Sequence, residues 1–148
     1  MNIEPATMED LEEILNLQKI TYESEAVLND DLNIPPLNQT LQELKKEFLS
    51  GLTLLKHCED NTIVASVRAH ESDGICHIGR LIVSPDRQGR GIGSNLLRYI
   101  EGAFIHCQEF HLFTGIKSER NIKLYNNHGY SQVEMDDKLV HMVKTMKI

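Results

Sequence analysis

Hydrophobic positions recur at helical spacing over the first fifty residues and then give way to short strand-like runs, so a helical opening precedes a stranded middle. Asn2-Ile3-Glu4-Pro5 reads as a short strand. Thr7 with Asp10 three residues later has the form of a helix start, and Leu11, Ile14, Leu15 and Gln18 to Tyr22 continue the apolar stripe. Asn29 to Pro36 is predicted to be non-helical, because Pro35 and Pro36 lack amide donors and restrict Ile34. Thr40-Leu41-Gln42-Glu43 is a capping box, Leu41, Leu44 and Phe48 give the stripe behind it, and Gly51 is a stop.

Strands are predicted over Thr53–Glu59 and Thr62–Glu71, joined by the turn dipeptide Asp60-Asn61, and over Ile75–Val83 after Ser72-Asp73-Gly74. Connections this short make an antiparallel meander. A helix from about Gly91 to Cys107 puts Ile92, Leu96, Leu97, Ile100 and Phe104 on one face. A strand (Glu109–Thr114), a short helix (Asn121–His128) capped by Gly129, and two strands (Tyr130–Met135 and Leu139–Thr145) complete the chain. The strand–helix–strand unit from Ile75 to Thr114 requires a parallel pair within a mixed sheet.

The chain has 148 residues, 41% hydrophobic and 25% charged, which suits one domain over residues 1–148 with a sizeable core. No apolar run is long enough to span a bilayer and no basic-then-apolar leader opens the chain, so a cytoplasmic protein without a membrane partner is expected. Cys58, Cys76 and Cys107 form no CxxC pair and read as reduced core thiols. The histidines show no HxxxH or HxH spacing, so no metal site is expected. Net charge is −7, which disfavours a nucleic-acid partner. Against that background, Arg80, Arg87, Arg90 and Arg98 share one stretch with Asp86 alone, a local cationic patch suited to a small anionic ligand.

That patch surrounds Gln88-Gly89-Arg90-Gly91-Ile92-Gly93, directly after a strand and at the start of a helix. Glycine permits positive φ and close backbone approach, and the unpaired amides of a first helical turn attract anions. A GxGxxG dinucleotide motif fails because Ser94 stands where its last glycine belongs, and a P-loop fails for want of GK[ST]. The pattern that fits is Q-x-x-G-x-G, preceded by Arg80-Leu81-Ile82-Val83-Ser84-Pro85-Asp86.

Residues 77–101 resemble the acetyl-CoA-binding motif of the GNAT superfamily of N-acetyltransferases, and Asn121-Ile122-Lys123-Leu124-Tyr125-Asn126-Asn127-His128-Gly129-Tyr130 resembles its later N-x-x-x-Y-x-x-x-G-[FY] motif. The resemblance implies an α/β fold (α+β in some schemes), the acyl-CoA N-acyltransferase fold. Its mixed, mostly antiparallel sheet has about seven strands and is flanked by about four helices, with a central parallel pair splayed for the cofactor by a bulge near Leu81 to Val83. It implies acetyl-CoA as cofactor, an amine of a small molecule or peptide as acceptor, and direct transfer in a ternary complex. Amides from Gln88 through Gly89, Arg90, Gly91, Ile92 and Gly93 to Ser94 would cradle the pyrophosphate. Leu81, Ile82 and Val83 would lie along the pantetheine arm, with an amide near Val83 polarising the thioester carbonyl.

By the same resemblance Asn121 and Tyr125 share the helix face that looks at the sulfur, and Tyr125 would protonate the departing thiolate. Asn121 also reads as a helix N-cap. Relatives often carry Glu where this chain has Gly79, so the base is open between His77, Glu71 and a water chain. Glu23, Glu25, Asp30 and Asp31 fall in the region that walls the acceptor cleft and suggest a cationic acceptor. A non-catalytic acyl-CoA sensor is the alternative reading, and monomer and homodimer are both open.

Overall fold

The computed structural model describes residues 2–28 and 34–146. After the short strand β1 (Ile3–Pro5), the Asp10 carboxylate accepts from the Thr7 amide at 2.8 Å and starts the long helix α1 (Leu11–Leu28). Helix α2 (Pro35–Asn38) begins at the two prolines that were expected to exclude a helix. The missing amide donors cost nothing in a first turn, where no intrahelical partner exists for them. Asn29 to Asn33 lie outside the described residues. The capping box forms at α3 (Leu41–Leu49): the Glu43 amide donates to Thr40 Oγ1 and the Thr40 amide to Glu43 Oε1.

The remaining elements are β2 (Thr53–Glu59), β3 (Thr62–Ser72), β4 (Ile75–Val83), α4 (Ile92–Ala103), β5 (Glu109–Gly115), α5 (Glu119–Asn127), β6 (Ser131–Met135) and β7 (Leu139–Thr145). One seven-stranded sheet results, in the order β1-β2-β3-β4-β5-β7-β6. Every neighbouring pair is antiparallel except β4 and β5. Helix α4 ends four residues before the expected Cys107, just past Gly102, yet Phe104 still packs in the core.

Two cores lie on the two faces of the sheet. The larger joins α4 (Leu96, Leu97, Ile100) to Val67, Phe110 and Met142, and the smaller joins α1 and α3 (Leu11, Ile14, Leu44) to Leu54 and Ile82. A buried polar hub locks the second layer. Arg68 donates to Gln18 Oε1 at 2.5 Å and Glu47 Oε1 at 2.9 Å, while Gln18 donates to the Pro36 carbonyl at 2.9 Å and to Gln39 Oε1 at 3.0 Å. α2 is thereby fixed against α1.

Two features open the sheet. Parallel pairing of β4 and β5 is confined to Ile75–His77 against Glu109–His111, after which the strands part. In the β3–β4 ladder, Arg68 pairs with Gly79 and Ser66 with Ile82, so Arg80 and Leu81 together oppose Val67. This is a β-bulge, and Arg80 sits in it at φ 50°. Its consequence is visible in the side chains. Ile78 belongs to the α4 core and Ile82 to the α1–α3 core, although two residues four apart in a regular strand share a face.

Candidate active site

Beyond their last paired residues, β4 and β5 enclose a cavity of about 370 Å³, walled by Gly79 and Arg80, by Leu112 and Phe113, and by Tyr125 of α5. A second cavity, about 450 Å³, runs from Leu81 and Val83 along the glycine loop to Ser94. Tyr22, Glu25, Leu81 and Asn121 line both, so these four form the waist where the cavities adjoin.

The loop side is built from backbone. Gly89 and Gly91 hold φ near 81° and 83°, and Gly91 heads α4 without any side chain capping that helix. The first-turn amides therefore keep their donors for a ligand in the second cavity. Space beside both glycines is open, since a Cβ at either would meet no atom within 4 Å. Gln88 serves as a staple: its side chain donates to the Val83 carbonyl at 3.1 Å and accepts from Arg120 at 2.8 Å. Arg87 borders the cavity, but Glu59 and Asp86 pair with it at 2.8 and 2.7 Å. Arg90 is exposed on the loop. Ile92 is core-packed at the cavity floor, and Ser94 Oγ lies 3.0 Å from His128 Nε2. Leu81 and Val83 face the second cavity, whereas Ile82 turns its side chain into the α1–α3 core and offers only backbone.

At the waist, Glu25 accepts from Ser118 Oγ and, at 3.3 Å, from the Asn121 side-chain amide. Ser118 precedes α5, which places Asn121 inside the first turn; the N-cap alternative for Asn121 is thereby corrected, because α5 starts two residues earlier than expected. Tyr125 is 6% exposed and lines the first cavity. Burial pushes its phenol well above the usual range, and Tyr22 and Glu25 add to the shift. The Tyr22 phenol is also raised by burial, against the opposing charges of Arg80 and Arg68.

His77 is not brought to this site. It lines neither cavity, because it stands where β4 is still paired on both sides, opposite His70 and His111. Its ring lies 5.0 Å from that of His70 and 5.8 Å from that of His111, which in turn lies 4.9 Å from His141. Burial and these neighbours lower its pKa. Glu71 is also remote from both cavities and bonds His106 at 2.5 Å. Of the four acids expected to wall the acceptor, Glu25 lines the cavity, Glu23 is exposed elsewhere on α1, and Asp30 and Asp31 lie outside the described residues. The first cavity carries Asp136, Arg80 and Lys138 as well, so its charge is mixed rather than acidic. In the sequence Tyr22 only continues the helical spacing of α1, and Arg80 shares a stretch with the loop arginines. A bulge leaves no mark in hydropathy that would have separated it from them.

The Acetyltransferase (GNAT) family model matches residues 10–130. A search of curated proteins found no match. Among solved structures, the chain is similar to the PaiA N-acetyltransferase of Thermoplasma acidophilum in complex with coenzyme A, with TM-score 0.86, 17% identity, and 99% of this chain and 100% of that chain covered. It is also similar to a GNAT-family acetyltransferase of Staphylococcus aureus Mu50, with TM-score 0.82, 14% identity and 99% of each chain covered. A third is the ribosomal-protein-S18-alanine N-acetyltransferase of Escherichia coli, with TM-score 0.79, 13% identity, and 99% and 94% covered.

Proposed function

The chain belongs to the GNAT acetyltransferase family, and from that premise we propose that it transfers an acetyl group from acetyl-CoA to a primary amine of a small molecule or peptide, by direct attack in a ternary complex. The observation that carries this reading is the waist, where Glu25 and Asn121 border both cavities and Tyr125 opens into the first.

The residues present suit coenzyme A. The uncapped amides of α4 and the open faces of Gly89 and Gly91 offer an anion site for its pyrophosphate. The edge of β4 beyond His77, left unpaired by β5, offers amide pairing to its pantetheine arm, beside Leu81 and Val83. When bound, the acetyl thioester supplies the activated acyl carbon.

Glu25 takes the ammonium proton of the acceptor, a role it fits better than His77 because it borders the donor cavity and the acceptor cavity at once. Ser118 and Asn121 hold its carboxylate in place. Tyr125 keeps its own proton throughout the working range, since its phenol is held above the usual value. It would give that proton to the departing thiolate when the thioester is bound. The three free cysteines fit a reducing, cytoplasmic setting.

Glu25→Gln tests the assignment of the base. At neutral pH it is expected to slow acetyl transfer about 100-fold, with the deficit shrinking as rising pH deprotonates the acceptor in solution. Coenzyme A affinity by calorimetry is expected to stay within a few-fold. Unchanged turnover across pH would remove Glu25 from the mechanism.

A further inference from the structure

Arg80 is the residue for which neither the fold nor the transfer chemistry accounts. It is the inserted residue of the β4 bulge, at φ 50°, a backbone state that disfavours any side chain. Glycine would relieve that strain, yet arginine occupies the position. Its side chain lines the first cavity, and its Nε is buried without a hydrogen-bond partner.

The charge around it is unbalanced. Arg68 lies near enough for the two guanidinium groups to repel, and Arg68 is the one that is neutralised, by Glu47 at 2.9 Å. Among the described residues no carboxylate forms an ion pair with Arg80; its neighbour is the Tyr22 hydroxyl, a neutral group. A partly buried guanidinium beside a second one needs an anion, and the planar fork of arginine matches a carboxylate. At the waist of the same cavity, Glu25 is placed for the opposite charge.

We propose that the acceptor is a zwitterion, an amine that also carries a carboxylate, with Arg80 holding the carboxylate while the amine meets Glu25. The inference rests on the acetyl-transfer reading and sharpens it: a purely cationic acceptor such as a polyamine would leave Arg80 without an anionic partner. Arg80 is then a specificity-determining residue.

The test uses matched pairs, an aminoalkanoate and the alkylamine of the same length, so that the amines have similar basicity. The wild-type protein is expected to prefer the carboxylated member in kcat/KM by about 10- to 100-fold, the worth of a charge-assisted bidentate contact. Arg80→Gln should abolish that preference through KM, with Arg80→Lys retaining part of it. Neither variant adds backbone strain, because every non-glycine residue shares the cost of the positive φ. Calorimetry of the aminoalkanoate into protein saturated with coenzyme A gives a second reading that needs no turnover. Binding lost in Arg80→Gln supports the proposal. A preference for alkylamines or polyamines, or equal aminoalkanoate binding by wild type and Arg80→Gln, overturns it. Failure of acetyl-CoA itself to bind would instead count against the transfer reading.

Discussion

At the scale of single residues, the proposed chemistry rests most on Tyr125 and Gly91. Tyr125 is buried, and among the described residues its hydroxyl forms no hydrogen bond within the protein, so under the proposed transfer its proton would serve the departing thiolate. Tyr125→Phe should lower kcat by about 100-fold while coenzyme A affinity is kept. Steady-state kinetics beside calorimetry check this, and full turnover in the variant would make Tyr125 a packing residue. Gly91 holds φ 83° at the head of α4 with open space beside it. Gly91→Val should strain the loop and obstruct the backbone approach to the phosphates, weakening coenzyme A binding at least 10-fold in a folded protein. The sequence singles out both because their motifs are local, a glycine cluster at a strand–helix junction and a tyrosine one helical turn from Asn121, and the structure places Tyr125 on the first cavity and Gly91 on the second. Glu25 and Arg80 were less so. Glu25 reaches the site from α1 across nearly a hundred residues of sequence, and Arg80 is singled out by a backbone irregularity that no residue pattern announces.

Among elements, the second layer depends on the hub of Arg68, Gln18, Gln39 and Glu47, which ties β3 to α1, α2 and α3. Arg68→Met should cost about 2 kcal/mol, because Gln18 and Gln39 lose a partner inside the protein. Urea denaturation measures it, and an unchanged midpoint would mean that the hub is dispensable. The hub is not marked in the sequence, because its four residues lie far apart along the chain and meet only where the helices converge on β3. The sheet holds a second polar array, the row His70, His77, His111 and His141, with the Glu109 carboxylate 2.7 Å from His111 Nε2. The folded state lowers the His77 pKa through burial and then through its three histidine neighbours. The unfolded chain therefore binds the proton first, at about pH 6.5, so this contribution to stability is present above that pH and is lost as pH falls below it through the lowered folded pKa. The melting temperature should drop on acidification below about pH 6.5, less so in His77→Gln. An identical slope in the variant would detach the effect from this row. Strands and the capping box were readable because alternation and Thr40–Glu43 act locally. The helix at Pro35 was not, because proline's restriction on a helix interior does not apply to its first turn.

For the molecule as a whole, the proposed function follows from a sheet that stops being a sheet halfway along. β4 and β5 pair through His77 and His111 and then part, the bulge at Arg80 turns β4, and two cavities open on either side of one waist. Order and direction of the strands could be reasoned from connection lengths, since a helix between two strands demands a parallel pair. Where that pair separates comes only from the family resemblance, which implies a bulge near Leu81 to Val83; hydropathy alone does not mark it. The same geometry would also serve a protein that binds acyl-CoA and reacts with nothing. The measurement that separates the two is thiol release from acetyl-CoA by the purified protein, with and without a panel of primary amines, with the acetylated product identified by mass spectrometry. Thiol release that depends on an amine and falls in both Glu25→Gln and Tyr125→Phe is the predicted result. Tight acetyl-CoA binding with no amine-dependent release from any member of the panel would contradict it.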